Sequence, residues 1–248
     1  MPRMRYTALL MSVALCLSGC ALFFPTKTPI ATQWHTARDG RHAKTLLVML
    51  PGRGDSPAGI VKNGFADAVR DSGRDVDMVL VDAHLGYYYK QNLIPRLHQD
   101  VLVPAREQGY DNIWICGISM GGLGSMLYAR EHPETVSGVF LMAPFISYEE
   151  VEQEVADAGG IAGYSPPEPP DPADWERAVW LWFKGYPEGK PDMPVLVLGY
   201  AKEDKFHRAN KMLADVLPDN ASYELEGGHD WGPWLEMFRM FLADRVPE

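Results

Sequence analysis

Cysteine is nearly absent from this 248-residue chain: Cys16 and Cys20 fall in the first 20 residues, and Cys116 stands alone after them. A body with a single thiol is no disulfide scaffold and must rely on its apolar core. Positive charge is short as well. The 23 Lys and Arg against 33 Asp and Glu leave a formal charge of −10, which argues against a nucleic-acid phosphate partner and leaves small molecules or neutral polymers. No internal repeat is present. The N-terminal apolar run, Ala8 to Leu17, is too short and wrongly flanked for a mature membrane span. What the chain does have is 46% hydrophobic and 11% aromatic content, enough for a substantial core in one large domain or two small ones.

The first twenty residues read as a leader. Arg3 and Arg5 precede the apolar run, and a small-residue exit follows it, as in a secretory signal. Leu17-Ser18-Gly19-Cys20 resembles the bacterial lipoprotein processing box, in which the cysteine becomes the acylated first residue of the mature chain. Ala21 in place of Asp implies, by the same resemblance, the outer membrane rather than the inner. The alternative is an ordinary signal peptide with an incidental cysteine. The expected organisation is therefore a signal peptide over 1–19, a Pro-containing tether over 20–33 and one domain over 34–248.

Within that domain apolar runs alternate with helical patterns. TLLVML (45–50), VDMVLV (76–81), NIWICG (112–117), VSGVFLM (136–142) and PVLVLGY (194–200) read as strands, and ASYEL (221–225) as a short one. Helical periodicity occupies 57–72, 90–108, 120–131, 206–217 and 231–244. Near-continuous apolar strands alternating with helices predict an α/β fold: a mostly parallel sheet covered on both faces. One stretch breaks the pattern. Residues 145–192 are acidic and Pro-rich, and their aromatic set Trp175, Trp180, Trp182 and Phe183 calls for burial. This predicts a small, partly helical cap over the carboxyl edge of the sheet.

Gly117-Ile118-Ser119-Met120-Gly121 is a Gly-x-Ser-x-Gly match, which roughly one chain in ten of this composition would contain by chance. Its setting raises it above chance. Ser119 directly follows a predicted strand and opens a predicted helix, the arrangement that lifts a hydroxyl above a sheet edge. Cβ atoms at Gly117 and Gly121 would obstruct so sharp a turn. A serine needs a base, and the base an orienting carboxylate. On this topology the acid should follow a late strand and the histidine should come near the C-terminus. Asp204 in AKEDKF, with Glu203 as the alternative, and His229 in EGGHDW meet those conditions. The other six histidines lie on predicted helices, before the first strand, or ahead of Ser119, apart from His207, which stands too close to Asp204. Asp230 is suited to cap the last helix. For an oxyanion hole, the N–H of Met120 and that of Arg53, in LPGRGD after the first long strand, are the candidate donors.

Leu50-Pro51-Gly52, Gly117-Ile118-Ser119-Met120-Gly121-Gly122 and Gly228-His229-Asp230-Trp231 with Trp234 together resemble the α/β-hydrolase superfamily, and within it the esterase D-like serine esterases. The resemblance runs from about residue 44 to 245. It implies an α/β-hydrolase fold and a Ser-His-Asp hydrolase with no metal or organic cofactor. Two departures stand out: little sequence precedes the first long strand, so early antiparallel strands should be reduced or missing, and the oxyanion loop carries Arg-Gly-Asp instead of a longer glycine run.

The expected function is a serine carboxylic-ester hydrolase with Ser119, Asp204 and His229 as catalytic residues, held in the bacterial envelope through lipid on Cys20. The alternatives are an acyltransferase or serine peptidase on the same fold, or a non-catalytic binding lipoprotein. Asp82 and His84 lack a sensibly spaced third ligand and do not make a metal site. Gly86-Tyr-Tyr-Tyr-Lys90 is open between a pocket lining and packed rings. Trp231 and Trp234 should pack the last helix on the core.

Overall fold

The computed structural model describes residues 25–36, 42–166, 168, 170–171 and 173–247. The predicted leader and Cys20 lie outside them. Seven strands form one sheet: β1 (Thr32–His35), β2 (Thr45–Leu50), β3 (Val76–Val81), β4 (Asn112–Ile118), β5 (Gly138–Met142), β6 (Val195–Ala201) and β7 (Ser222–Leu225). Their spatial order is β1-β3-β2-β4-β5-β6-β7. All neighbours run parallel except β1, which pairs antiparallel with β3. Every residue of β2, β3 and β5 is buried, the result of covering both faces.

The helices are α1 (Pro57–Lys62), α2 (Phe65–Asp71), α3 (Leu85–Tyr89), a continuous run α4 (Leu93–Leu97, a π-turn His98–Leu102, then Val103–Glu107), α5 (Met120–Glu131), α6 (Glu149–Asp157), α7 (Trp175–Phe183), α8 (His207–Ala214) and α9 (Trp231–Arg245). Ile60, Phe65, Trp234, Phe238 and Phe241 place α1, α2 and α9 on one face. Tyr87, Leu97, Leu123, Val151, Val179 and Leu213 place α3 to α8 on the other. For the helices that connect strands, the split follows from chain direction. The step from β2 to β3 runs one way across the sheet and every later crossover runs the other way, so a constant crossover hand puts their helices on opposite faces.

Two expectations change. The tether expected over 20–33 does not extend through 25–33. There Ile30 is buried, its N–H donates to Asp100 Oδ2 at 2.8 Å, and Lys27 N–H donates to the Tyr87 hydroxyl at 3.0 Å. Residues Thr32–His35 then supply the edge strand β1, so one early antiparallel strand is present although little sequence precedes β2. A four-residue strand whose first three side chains face solvent has no alternation for sequence to reveal. The single helix expected over 57–72 is two, because Gly64 adopts φ 87° between them.

The cap expected at 145–192 contains α6 and α7. Trp180 and Phe183 are fully buried, and the Trp180 indole N–H donates to Ser147 Oγ at 2.9 Å. These side chains join the core of the α5 face, so the insertion is rooted in the sheet.

Candidate active site

Helical crossovers leave the carboxyl ends of β2, β4, β5 and β6 side by side at one edge. The chain departs in opposite directions around β2, and this switch in strand order opens a crevice where ligands bind open α/β sheets. The loops after β2, β4 and β6 carry LPGRGD, Ser119 and Asp204.

Ser119 has φ 52° and ψ −112°, a backbone state that costs a non-glycine residue about 1–3 kcal/mol. Three hydrogen bonds hold it there: Ser119 N–H donates to Met142 O, and Ser119 O accepts from Leu123 N–H and Phe145 N–H. The flanking glycines leave no spare volume. A Cβ on Gly117 would stand 2.2 Å from Gly121 O, and one on Gly121 would stand 2.2 Å from Leu50 O. The loop after β2 thus touches the elbow backbone to backbone. Gly122 and Gly124 extend the same closeness toward Pro144 and the Tyr88 hydroxyl.

Ser119 Oγ lies 3.0 Å from His229 Nε2, and His229 Nδ1 lies 2.7 Å from Asp204 Oδ2. A carboxylate only accepts, so Nδ1 carries the proton and Nε2 presents its lone pair to the serine hydroxyl. The Asp204 side chain is fully buried and that of His229 is 16% exposed. Asp204 Oδ1 also accepts the Phe206 N–H at 2.8 Å, which fixes the carboxylate. Glu203 is exposed; Asp204 is the acid in contact with the imidazole. Phe206 and Trp234 meet the His229 ring edge-on at 5.0 and 4.9 Å and restrict its rotation.

The candidate oxyanion donors occupy fitting places. Met120 opens α5, where the first N–H groups lack helical partners. Arg53 is second in a turn closed by Asp55 N–H to Gly52 O at 3.1 Å, with Gly54 at φ 86°; a positive φ at the third position is what Arg-Gly-Asp accommodates. Neither N–H donates to a backbone acceptor among the described residues. Asp55 folds back over Gly52: its Oδ2 would lie 2.8 Å from a Cβ there, and the Ser119 Cβ 3.7 Å from the same point. Burial pushes the Asp55 carboxyl above its ordinary range, partly offset by His229.

Other predicted features find different places. Asp230 caps α9 by accepting Gly232 N–H, and His84 caps α3 by accepting Gly86 N–H. The tyrosine run packs more than it lines: Tyr87 is buried, the Tyr88 hydroxyl donates to Met120 O beneath the elbow, and Tyr89 is exposed. Trp231 packs against Phe65 and against Trp234, and Trp234 also touches His229. Three residues at the site had not been singled out from sequence: Phe145, Phe206 and Asp55. Their signal was position, since Phe145 follows β5 and Phe206 stands two residues after Asp204.

The sequence matches the family described as "Putative esterase" over residues 10–244. The chain belongs to this esterase family. It is therefore a hydrolase, on an α/β-hydrolase fold. Similar solved structures include S-formylglutathione hydrolase of Staphylococcus aureus, 14% identical with TM-score 0.58 over 83% of this chain and 82% of that one. A fluorophosphonate-binding serine hydrolase F of the same organism is 15% identical with TM-score 0.59, over 88% and 94%. A thermophilic carboxylesterase from a metagenomic library is 15% identical with TM-score 0.59, over 88% and 85%. No curated protein sequence matches this esterase-family chain.

Proposed function

We propose that the chain hydrolyses carboxylic esters through a Ser119-His229-Asp204 triad and an acyl-enzyme. The observation that carries this reading is the unbroken hydrogen-bonded chain from Asp204 through His229 to Ser119 at a strained strand-to-helix turn. Ser119 Oγ attacks the ester carbonyl carbon as its proton passes to His229 Nε2. The carbonyl oxygen becomes an oxyanion facing the N–H groups of Met120 and Arg53, each such donor contributing on the order of 10²–10³ in rate. Collapse breaks the bond to the alcohol oxygen, which leaves with the proton from Nε2. Water then gives a proton to Nε2 and its oxygen to the acyl carbon, and the acid departs with Ser119 restored. Asp204 keeps Nδ1 protonated and stabilises the transient imidazolium.

The same proposal places the mature chain in the bacterial envelope, lipid-anchored through Cys20 at the outer membrane. Metabolic labelling with palmitate, lost in Cys20→Ser, tests the anchor. Hydrolysis of short-chain p-nitrophenyl esters by protein lacking residues 1–20, set beside Ser119→Ala, tests the chemistry. Unchanged turnover in Ser119→Ala removes the assignment. Labelling of Ser119 by a fluorophosphonate separates an enzyme from a binding protein.

A further inference from the structure

Four aromatic rings extend outward from His229, of which Phe145 and Trp175 pack at the margin of the core. Phe206 meets the imidazole edge-on at 5.0 Å. Phe145 lies 5.4 Å from Phe206, and it also packs on Trp175 at 5.9 Å and on Tyr148 at 5.0 Å. Tyr148 and Trp175 close the group at 6.5 Å. Burial does not explain it: Phe145, Trp175 and Phe206 are only half-buried, and Tyr148 is 64% exposed. Three of the four come from the insertion after β5, in which Trp180 and Phe183 are fully buried in the core. Trp180 and Phe183 thus anchor the insertion to the sheet, while Phe145, Tyr148 and Trp175 stay partly or largely exposed beside the site. Phe145 is joined to the nucleophile itself through its N–H to Ser119 O.

Which half of an ester this wall receives follows from the proton path. The leaving oxygen must reach His229 Nε2 to collect its proton, so the alcohol portion departs along the imidazole, and the imidazole abuts Phe206. We propose that Phe206, Phe145, Trp175 and Tyr148 form a subsite for the alcohol portion of the substrate, selecting esters whose alcohol carries a planar aromatic group. This rests on the hydrolase reading above. Offset and edge-on ring contacts favour a flat aromatic group over an aliphatic one of equal size.

Benzyl propionate and ethyl phenylacetate are isomers that differ in which side of the ester bears the ring. The wall predicts a kcat/KM for benzyl propionate about tenfold above that for ethyl phenylacetate, roughly the worth of one or two good ring contacts. Tyr148→Ala, at an exposed position, and Trp175→Ala should each bring that ratio down several-fold, mainly through KM for the benzyl ester. A preference for the phenylacetate, or variants that lower both isomers equally, overturns the proposal. Loss of turnover with both isomers in wild-type protein, or turnover unchanged in Ser119→Ala, refutes the hydrolase reading instead.

Discussion

Gly121→Ala is the sharpest probe of the junction between the elbow and the oxyanion loop. The new Cβ would lie 2.2 Å from Leu50 O, 2.6 Å from Leu50 C and 2.7 Å from Pro51 O. All three are backbone atoms where β2 passes into the loop that leads to Arg53, so no rotamer change relieves the contact. Restoring ordinary van der Waals distance requires more than an ångström of movement between the loop after β2 and the start of α5. Overpacking of this kind costs about 1–3 kcal/mol of stability. A displacement of about 1 Å between catalytic groups can cost on the order of 10²-fold in rate. The expected result is a kcat lower by about two orders of magnitude, with folding retained if total stability lies in the usual 5–15 kcal/mol range. Gly124→Ala supplies the contrast. Its Cβ would meet the Tyr88 hydroxyl at 2.6 Å and Leu93 Cδ2 at 2.9 Å, both side-chain ends that can yield. It should lower stability, partly by disturbing the bond from Tyr88 to Met120 O, while kcat stays within about threefold. Urea unfolding and p-nitrophenyl ester kinetics on both variants separate the two effects. Wild-type kcat in folded Gly121→Ala would refute the view that loop and elbow jointly place the oxyanion donors.

Asp204→Asn should lower kcat by about 10³- to 10⁴-fold by presenting the wrong imidazole tautomer, whereas Glu203→Gln should leave it unchanged; steady-state kinetics of the pair decide which carboxylate serves His229. The Asp55 carboxyl, raised by burial, binds its proton more tightly in the folded than in the unfolded chain. Its contribution to stability is therefore full below about pH 4 and is lost as pH rises through the raised value. Asp55→Asn should then increase Tm at neutral pH with little change near pH 4, and an equal shift at both would contradict the assignment. Removal through residue 36 deletes β1 and the buried Ile30. That truncation should cost several kcal/mol, at about 1.5–3 kcal/mol for a large apolar side chain plus the lost edge pairing, measured by urea unfolding.

The core strands were legible because burial on both faces demands uninterrupted apolar runs, and TLLVML or NIWIC can meet that demand in few other ways. Ser119, Asp204 and His229 could be picked out for a related reason: a parallel sheet sends every strand end to one edge, so chain order already says which loops meet. Sequence could not decide between Glu203 and Asp204. Adjacent residues leave a strand end in different directions, and only the turn into α8 aims one of them at the imidazole. Nor could it show β1, which is solvated along one side and recognisable only through its pairing with β3, or the split of 57–72, which depends on the φ of Gly64. The aromatic wall belongs to tertiary structure altogether. Phe145, Trp175 and Phe206 are up to 61 positions apart in the chain, and they become one surface because β5 and β6 are neighbours and the insertion between them is anchored by Trp180 and Phe183. Local composition can announce that rings need burial; which of them stay exposed beside the histidine is settled by packing across the sheet.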